Sequence, residues 1–485
     1  MPRTRFDQFT SASYTSWSPN VDSERLINLY PEIVESSQGK NKVAFYGTPG
    51  LTLFCTLPAG PVRALWAGEE RLFAVGADKL YEVKNDATFT VRPGVAMGDD
   101  GQPVEIYANG TSLFFINAGL AYYDPGSGVA LALVPEDPYG LVDTAAADPS
   151  TASTGAFLDS YYIAAKPYSK TFFFSDPYDP VTWNALEFSR KEGYPDNIKR
   201  LFTDHEELWI FGTHEATEVW RNEGDPDEAG GFRRDPGAFI HIALMAQWSV
   251  VSMAGGIHFL GGDTDGRVIA YRCQGFQPVR VSTHAVEQIW NTYSTVADAY
   301  AYTYTQHGHQ FWVINFMTAN ATWVYDVNTQ LWHERAYWNG TSFEKHRGRC
   351  HAFVFGKHFV GDHTNGKIYV MDHNAFTDAG QPIRRVRRCP FVANERKRVF
   401  HHRLELDLQV TAGNTPNINL SWSDNDGANW TTPRVITPQV VGNNQAHAFT
   451  NRLGSSAERQ YEIMISDPVK VALVDAYIDV TPGNA

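Results

Sequence analysis

The sequence predicts an all-β protein built around a β-propeller. The first observation is a hairpin pattern in residues 71–83, where two apolar strands, Leu72 to Val75 and Leu80 to Val83, flank a Gly-Ala-Asp turn. Apolar strands on either side of a short Gly/Asp turn are typical of β-hairpins. The second observation is that this pattern returns roughly every 40–50 residues, the spacing of propeller blades. The third is that amphipathic helical patterns are nearly absent, with residues 284–299 as the one modest candidate.

The copies of the hairpin pattern follow one another through most of the chain. They lie at residues 71–83, 112–123, 161–174, 207–220, 257–271, 310–325 and 358–370. Most copies are preceded by a further strand and many are followed by a fourth, which suits a four-stranded blade. No copy could bury both of its faces alone, so the copies must stack. We expect about seven blades, with six to eight possible; a chain of unrelated sandwiches is the alternative.

Segments on either side of the repeats have a different character. Residues 1–60 are turn-rich with isolated aromatic anchors and predict an N-terminal arm, which could also supply a strand that closes the ring. Residues 61–390 hold the propeller. Residues 391–485 contain strictly alternating stretches such as 404–410, which predict a small C-terminal β-sandwich.

Composition narrows the class of protein. The chain has 485 residues, 43% of them apolar and 13% aromatic, which excludes a disordered chain. Its formal net charge of −14 argues against wholesale adhesion to nucleic acid or to an acidic membrane, although DNA could still pass nearby. We expect neither a signal peptide nor a transmembrane span. The four cysteines form no CxxC pair and are expected to be reduced thiols: Cys55, Cys273, Cys350 and Cys389.

Catalytic and ligand motifs are weak throughout. Residues 361–367 fit seven places of a P-loop, but Ile368 replaces the Ser or Thr that Mg²⁺ requires, so we expect a hairpin turn. The His pairs at 307–309 and 401–402 lack other ligands at metal spacing, and residues 424–427 lack the closing Glu of a calcium loop. Residues 423–430 resemble an Asp-box turn. We therefore predict no catalytic, cofactor or metal site, while a carboxylate pair drawn from different blades stays open.

Most of the concentrated positive charge lies in one segment. It comprises Arg384, Arg385, Arg387, Arg388, Arg396, Lys397, Arg398 and Arg403. Such a run can be a solvated face, can hold phosphates or can dock an acidic neighbouring subunit. We predict a subunit contact, placed away from any DNA channel. Two longer loops, residues 137–154 and 222–235, are either partner contacts or solvated connectors.

Three motif groups carry a resemblance to a known family. They are residues 25–32 (RLINLYPE) with 46–51 (YGTPGL), residues 174–183 (FSDPYDPVTW) with 186–188, and residues 195–220, which include LWIFG and TEVW. In this order they resemble the packaged-DNA stabilisation proteins of short-tailed phages, over roughly the first 290 residues. The C-terminal part does not carry the resemblance.

The resemblance implies a tail hub or nozzle protein that is not an enzyme and needs no cofactor. Six copies would form a ring below the portal and adaptor, retaining packaged double-stranded DNA and letting it pass at ejection. Expected partners are other copies, the adaptor and the tail needle, fibre or spike proteins, in a virion tail whose subunits are made in the host bacterial cytoplasm. The alternative is a virion-associated propeller glycosidase or glycan-binding module, including a receptor-binding one.

Overall fold

The structure, a computed structural model, describes most of the chain. The described residues are 4–6, 9–18, 20–34, 43–94, 96–117, 120–123, 131–133, 154–224, 231–262, 265–395, 397–411, 414–441 and 444–483. Almost all regular structure in them is β-strand, which confirms the predicted all-β class.

The N-terminal arm runs along both larger parts of the molecule. It contains β1 (Thr4–Arg5), β2 (Tyr14–Thr15), β3 (Ser23–Ile27), β4 (Leu29–Ile33), β5 (Val43–Gly47) and β6 (Gly50–Thr56).

The hairpin repeats form successive antiparallel sheets. The first three are β7 (Val62–Gly68), β8 (Arg71–Gly76), β9 (Lys79–Val83) and β10 (Phe89–Val91); β11 (Glu105–Ala108), β12 (Leu113–Ile116), β13 (Leu120–Tyr123) and β14 (Ala132–Leu133); and β15 (Gly155–Leu158), β16 (Tyr161–Ala165), β17 (Thr171–Ser175) and β18 (Trp183–Arg190). The β8–β9 hairpin is the predicted one, and its turn places Ala77 at φ 51°.

The next sheets continue the same plan. They are β19 (Ile198–Asp204), β20 (Glu207–Gly212), β21 (Thr217–Asn222) and β22 (Phe232–Ile240); β23 (Ala243–Leu244), β24 (Val251–Met253), β25 (Gly256–Gly262), β26 (Val268–Gln274) and β27 (Gln277–Arg280); and β28 (Ala299–Gln306), β29 (His309–Phe316), β30 (Ala321–Asp326) and β31 (Leu331–Arg335). Before β28 lies helix α1 (His284–Trp290), capped by the Thr283 side chain and shorter than the predicted 284–299.

The last propeller sheet is closed by the arm. After the short pair β32 (Tyr337–Trp338) and β33 (Phe343–Glu344) come β34 (Gly348–Val354), β35 (Lys357–Asp362) and β36 (Lys367–Asp372), and a further pair, β37 (Thr377–Asp378) and β38 (Gln381–Pro382). Strand β6 of the arm pairs antiparallel with β36 and becomes the fourth strand of that sheet. The arm therefore supplies the ring-closing strand that the sequence analysis allowed for.

Apolar cores fill the spaces between neighbouring sheets. One core joins the first and second sheets through Phe73 and Phe115. Another joins the last and first sheets through Phe359 and Tyr81. Strands of consecutive sheets contact each other from β7 around to β34, with β20 and β23 joining the fourth sheet to the fifth, and β34 contacts β7 again. Stacked sheets thus bury the faces that a single repeat would expose, at about 1.5–3 kcal/mol for each large apolar side chain.

The C-terminal part is a sandwich that shares its sheets with the arm. Its strands are β39 (Arg385–Ala393), β40 (Val399–Val410), β41 (Ile418–Ser423), β42 (Arg434–Ile436), β43 (Gln439–Val441), β44 (Gln445–Ser456), β45 (Glu458–Ile465) and β46 (Val471–Pro482). One sheet has the order β4-β5-β46-β40-β44-β43, and the other runs from β28–β31 through β3 to β39, β45, β41 and β42. The inner face of β40 carries Leu404, Leu406 and Leu408, as its alternation predicts.

The arm therefore connects the propeller and the sandwich by hydrogen bonds. Strand β3 pairs with β31 on one side and with β39 on the other. The predicted propeller with a C-terminal sandwich is confirmed. The predicted division at residues 1–60, 61–390 and 391–485 stays a prediction, with β6 and β39 each pairing across one of its boundaries.

Candidate interaction site

Strand β39 and the residue before it carry the first half of the predicted basic cluster, and the strand directs part of it inward. The Arg387 side chain is fully buried and forms an ion pair with Glu24 of β3. Its Nε donates to the carbonyl oxygen of Phe9 at 2.8 Å. Its guanidinium carbon lies 5.3 Å from the centre of the Phe45 ring. Arg387 therefore links the arm to the sandwich within one chain.

Other arginines of the cluster are half-buried against the same chain. Arg388 Nε donates to a Glu462 carboxylate oxygen at 2.9 Å. The guanidinium carbon of Arg384 lies 3.3 Å from the centre of the Trp338 ring, an arrangement typical of cation–π stacking. Each of these two arginines thus has a partner within its own chain.

The turn between β39 and β40 carries the exposed part of the cluster. Lys397 and Arg398 are both exposed, and Lys397 forms a surface ion pair with Glu395 at 3.5 Å. Arg396 lies outside the described residues. A subunit contact by the cluster stays a prediction, and Lys397 and Arg398 are the most exposed of its described members.

A cleft of about 800 Å³ lies where the arm, the propeller and the sandwich meet. Its lining includes the charged residues Arg385, Lys470 and Glu32, together with His373. Arg385 is only 2% exposed, and burial lowers the pKa of its guanidinium to about 10 although Asp378 nearby acts in the opposite direction. The sequence placed Arg385 in a surface cluster, whereas the fold places it inside this cleft.

A buried histidine holds the arm against the propeller beside the cleft. His309 Nδ1 lies 2.7 Å from Asp326, and Nε2 lies 2.6 Å from Glu32 of β4. Burial favours the neutral ring, but the hydrogen bonds to the two carboxylates outweigh it and raise the pKa of His309 to about 9. At neutral pH the imidazolium thus bridges two carboxylates.

A second group of possible ligands lies on the outer face of β40, and the sequence analysis did not find it. Ligand atoms of Glu405, Asp407 and His447 lie within 4.8 Å of one another. The i, i+2 spacing puts the two carboxylates on one face of a strand, but His447 joins them only through the pairing of β40 with β44. His447 Nδ1 lies 2.5 Å from Asp407, and Arg403 Nε donates to Glu405 at 3.1 Å. These contacts form an ion-pair network as they stand.

The weak motifs fold as turns. Residues 363–366 connect β35 to β36, and the backbone N–H of Thr364 donates to Asp362 at 2.7 Å. This is the predicted hairpin turn in place of a P-loop. In the Asp-box-like stretch, the N–H of Gly427 donates to the Ser423 hydroxyl at 3.0 Å. Residues 137–153 and 225–230, which belong to the two predicted contact loops, lie outside the described residues.

The cysteines are free thiols in the structure. Burial raises the pKa of Cys273 and of Cys389 to about 12. In the described part of the chain, no helix has the length and apolar character of a membrane span.

Comparison with known proteins gives two matches to family models. A model described as "Bacteriophage P22 Gp10, beta-propeller" matches residues 15–376, and one described as "Bacteriophage P22 Gp10, beta-sandwich" matches residues 384–481. A comparison with curated proteins finds no match.

Several solved structures are similar at low identity. The computationally designed Ika8 protein is 12% identical with a TM-score of 0.38, over 66% of this chain and 99% of that one. The WD40 propeller domain of Doa1 is 12% identical with a TM-score of 0.38, over 66% of this chain and 97% of that one. PorZ of Porphyromonas gingivalis is 14% identical with a TM-score of 0.37, over 79% of this chain and 46% of that one.

Proposed function

The chain belongs to the bacteriophage P22 Gp10 family of structural tail hub or nozzle proteins, and from this membership we propose that it forms the ring that closes the DNA channel of a phage tail. In this proposal six copies assemble below the portal and adaptor. The ring retains packaged DNA and lets it pass at ejection. Neighbouring partners are the adaptor and the tail needle, fibre or spike proteins.

The observation that carries the proposal is the coverage of the family match. It includes both the propeller and the sandwich, and thus extends past the region where the sequence motifs resembled the family. The match implies a protein that works by assembling with other virion proteins. Its position in the virion tail follows from the same membership.

The charge of the chain supports passage of DNA without tight binding. Each phosphate held by a Lys or Arg adds affinity through counterion release, and several together would hold the duplex. A net charge of −14 on each copy disfavours such binding. Four arginines of the basic segment contact groups of their own chain, and these contacts compete with any contact to DNA phosphates: Arg384, Arg387, Arg388 and Arg403.

The competing enzyme function lacks a suitable pair of groups in the cleft. Glycoside hydrolysis uses two carboxylates flanking the scissile bond. Among the described residues that line the cleft, Glu32 is the one carboxylate, and His309 binds it at 2.6 Å. Hydrolysis of host polysaccharide by the purified protein would contradict the proposal.

The experiment that tests the proposal measures assembly and DNA retention separately. The double variant Lys397→Ser/Arg398→Ser changes exposed residues of the basic segment, so it should keep the wild-type melting temperature but form fewer rings in sedimentation at low salt. Phage particles that carry the variant should lose DNase-protected DNA. Normal rings from the variant would contradict the contact, and DNA retention by particles without the protein would contradict the function.

The matched control is Lys84→Ser/Lys79→Ser, which removes two positive charges from the first propeller sheet, where both lysines are exposed. It should assemble normally. A gel shift with duplex DNA separates the two roles of the basic segment, since DNA affinity lost only in the Lys397/Arg398 variant would place the segment in the channel.

A further inference from the structure

The cleft between the arm, the propeller and the sandwich has a cation at its base that the fold leaves partly unpaired. Arg385 is buried, and among the described residues its Nε has no hydrogen-bond partner. One guanidinium NH₂ group reaches the Asp467 carbonyl oxygen at 3.3 Å. A buried donor without an acceptor is destabilising, and more so when the group is charged. An acceptor supplied from outside would recover that free energy.

Strand β5 of the arm packs closely against this guanidinium, at Gly47. A Cβ atom placed on Gly47 of β5 would lie 2.8 Å from Arg385 Nε. Any larger residue at position 47 would therefore have to displace the side chain. Lys470, which is exposed and lies immediately before β46, adds a second cation to the lining of the same cleft.

The rest of the cleft suits a polypeptide. Apolar and aromatic side chains contribute to the lining, including Ile33, Phe376 and Val471. Strand β4 is the end strand of its sheet, and an extended segment is the form that pairs with such an edge. Ile33, the last residue of β4, is 42% exposed.

We propose that the cleft binds an extended acidic segment of a partner protein, whose carboxylate is received by Arg385 and Lys470. The planar guanidinium can donate two parallel hydrogen bonds to one carboxylate. Duplex DNA fits the cleft less well, because its affinity comes from many contacts between cations and phosphates. The cleft offers few such contacts, since its lining has apolar walls, two cations and the Glu32 carboxylate. The proposed tail function enters only in the expectation that the partner is another virion protein.

The test uses the full-length protein and three fluorescent probes. They are a short peptide of alternating glutamate and valine, the same peptide with glutamine in place of glutamate, and a short DNA duplex. Fluorescence anisotropy should show binding of the glutamate peptide, much weaker binding of the glutamine peptide, and no competition by the duplex.

Three single-residue variants test whether the peptide binds in the cleft. Lys470→Gln removes an exposed charge and should weaken the glutamate peptide about threefold. Gly47→Ala keeps Arg385 but displaces its guanidinium, and should weaken it about tenfold. Lys397→Gln lies outside the cleft lining and should change nothing. If Gly47→Ala does not fold, as its melting curve will show, Lys470→Gln still decides the outcome.

Four results would overturn the proposal. They are the absence of peptide binding at millimolar concentration, equal affinity for the glutamate and glutamine peptides, displacement of the peptide by the duplex, and an unchanged affinity of Lys470→Gln for the glutamate peptide. None of these results depends on ring assembly or DNA retention. Failure of the peptide-binding proposal would therefore leave the proposed tail function standing.

Discussion

Replacing Arg387 by Met should destabilise the protein strongly, because the substitution leaves the Glu24 carboxylate buried without its partner. The Glu24 side chain is 6% exposed and that of Arg387 is 0% exposed. Removing one member of a buried ion pair typically costs about 3–5 kcal/mol. The Phe9 carbonyl oxygen also loses a donor. In a folding unit of 150–250 residues, each kcal/mol lost from the free energy of unfolding lowers the melting temperature by roughly 2–4 °C. The melting temperature of the variant should therefore fall by about 6–20 °C.

Differential scanning calorimetry of three variants checks this reasoning. Arg398→Met removes an exposed arginine a short distance along the chain and should stay within about 0.5 kcal/mol of the wild type. Glu24→Gln added to Arg387→Met removes the orphaned charge and should restore part of the loss. An Arg387→Met protein that melts like the wild type would refute the assignment of Arg387 to the arm–sandwich contact. The same calorimetry also shows whether a variant that replaces both Arg387 and exposed arginines fails to assemble because it is destabilised.

Three further predictions concern buried groups. Because the pKa of His309 is raised to about 9, His309→Gln should reduce the unfolding free energy most below about pH 6.5 and progressively less as pH rises through about 9, as denaturant titrations at several pH values will show. Cys273 and Cys389 should react with iodoacetamide far more slowly in the native protein than in urea, because burial raises their pKa to about 12; equal rates by mass spectrometry would contradict this. Gly50→Ala should lower the melting temperature, since its Cβ would lie 2.5 Å from the Ala375 carbonyl oxygen, whereas Gly237→Ala, whose nearest neighbour is at 3.3 Å, should not.

Local features of the fold could be predicted from the sequence. The hairpin at residues 71–83 and the alternating strand at 404–410 depend on side-chain periodicity and turn residues within a few positions of each other. The turn at 363–366 was predictable for the same reason, because Ile368 continues a strand where a P-loop needs a helix.

Long-range pairings were not visible in the sequence. The pairing of Arg25 with Arg388 joins positions that share no motif, and nothing in a run of arginines tells which of them will be buried. Arg387 was therefore grouped with Lys397 although their environments differ. His447 was missed as a neighbour of Asp407 because only the register of two distant strands brings them together.

Strand β6 can close the propeller ring within one chain only after its partner strand β36 has been synthesised. Thr56 leaves the ribosome roughly 300 residues before its partner Lys367, an interval of about 15–60 s at bacterial translation rates of about 5–20 residues per second. Throughout that interval the nascent chain carries a β6 strand without its β36 partner, and the free backbone groups of β6 can pair with another chain. Ribosome stalling before residue 367 should consequently yield aggregates, and chaperones that shield strand edges should raise the yield of assembled tails.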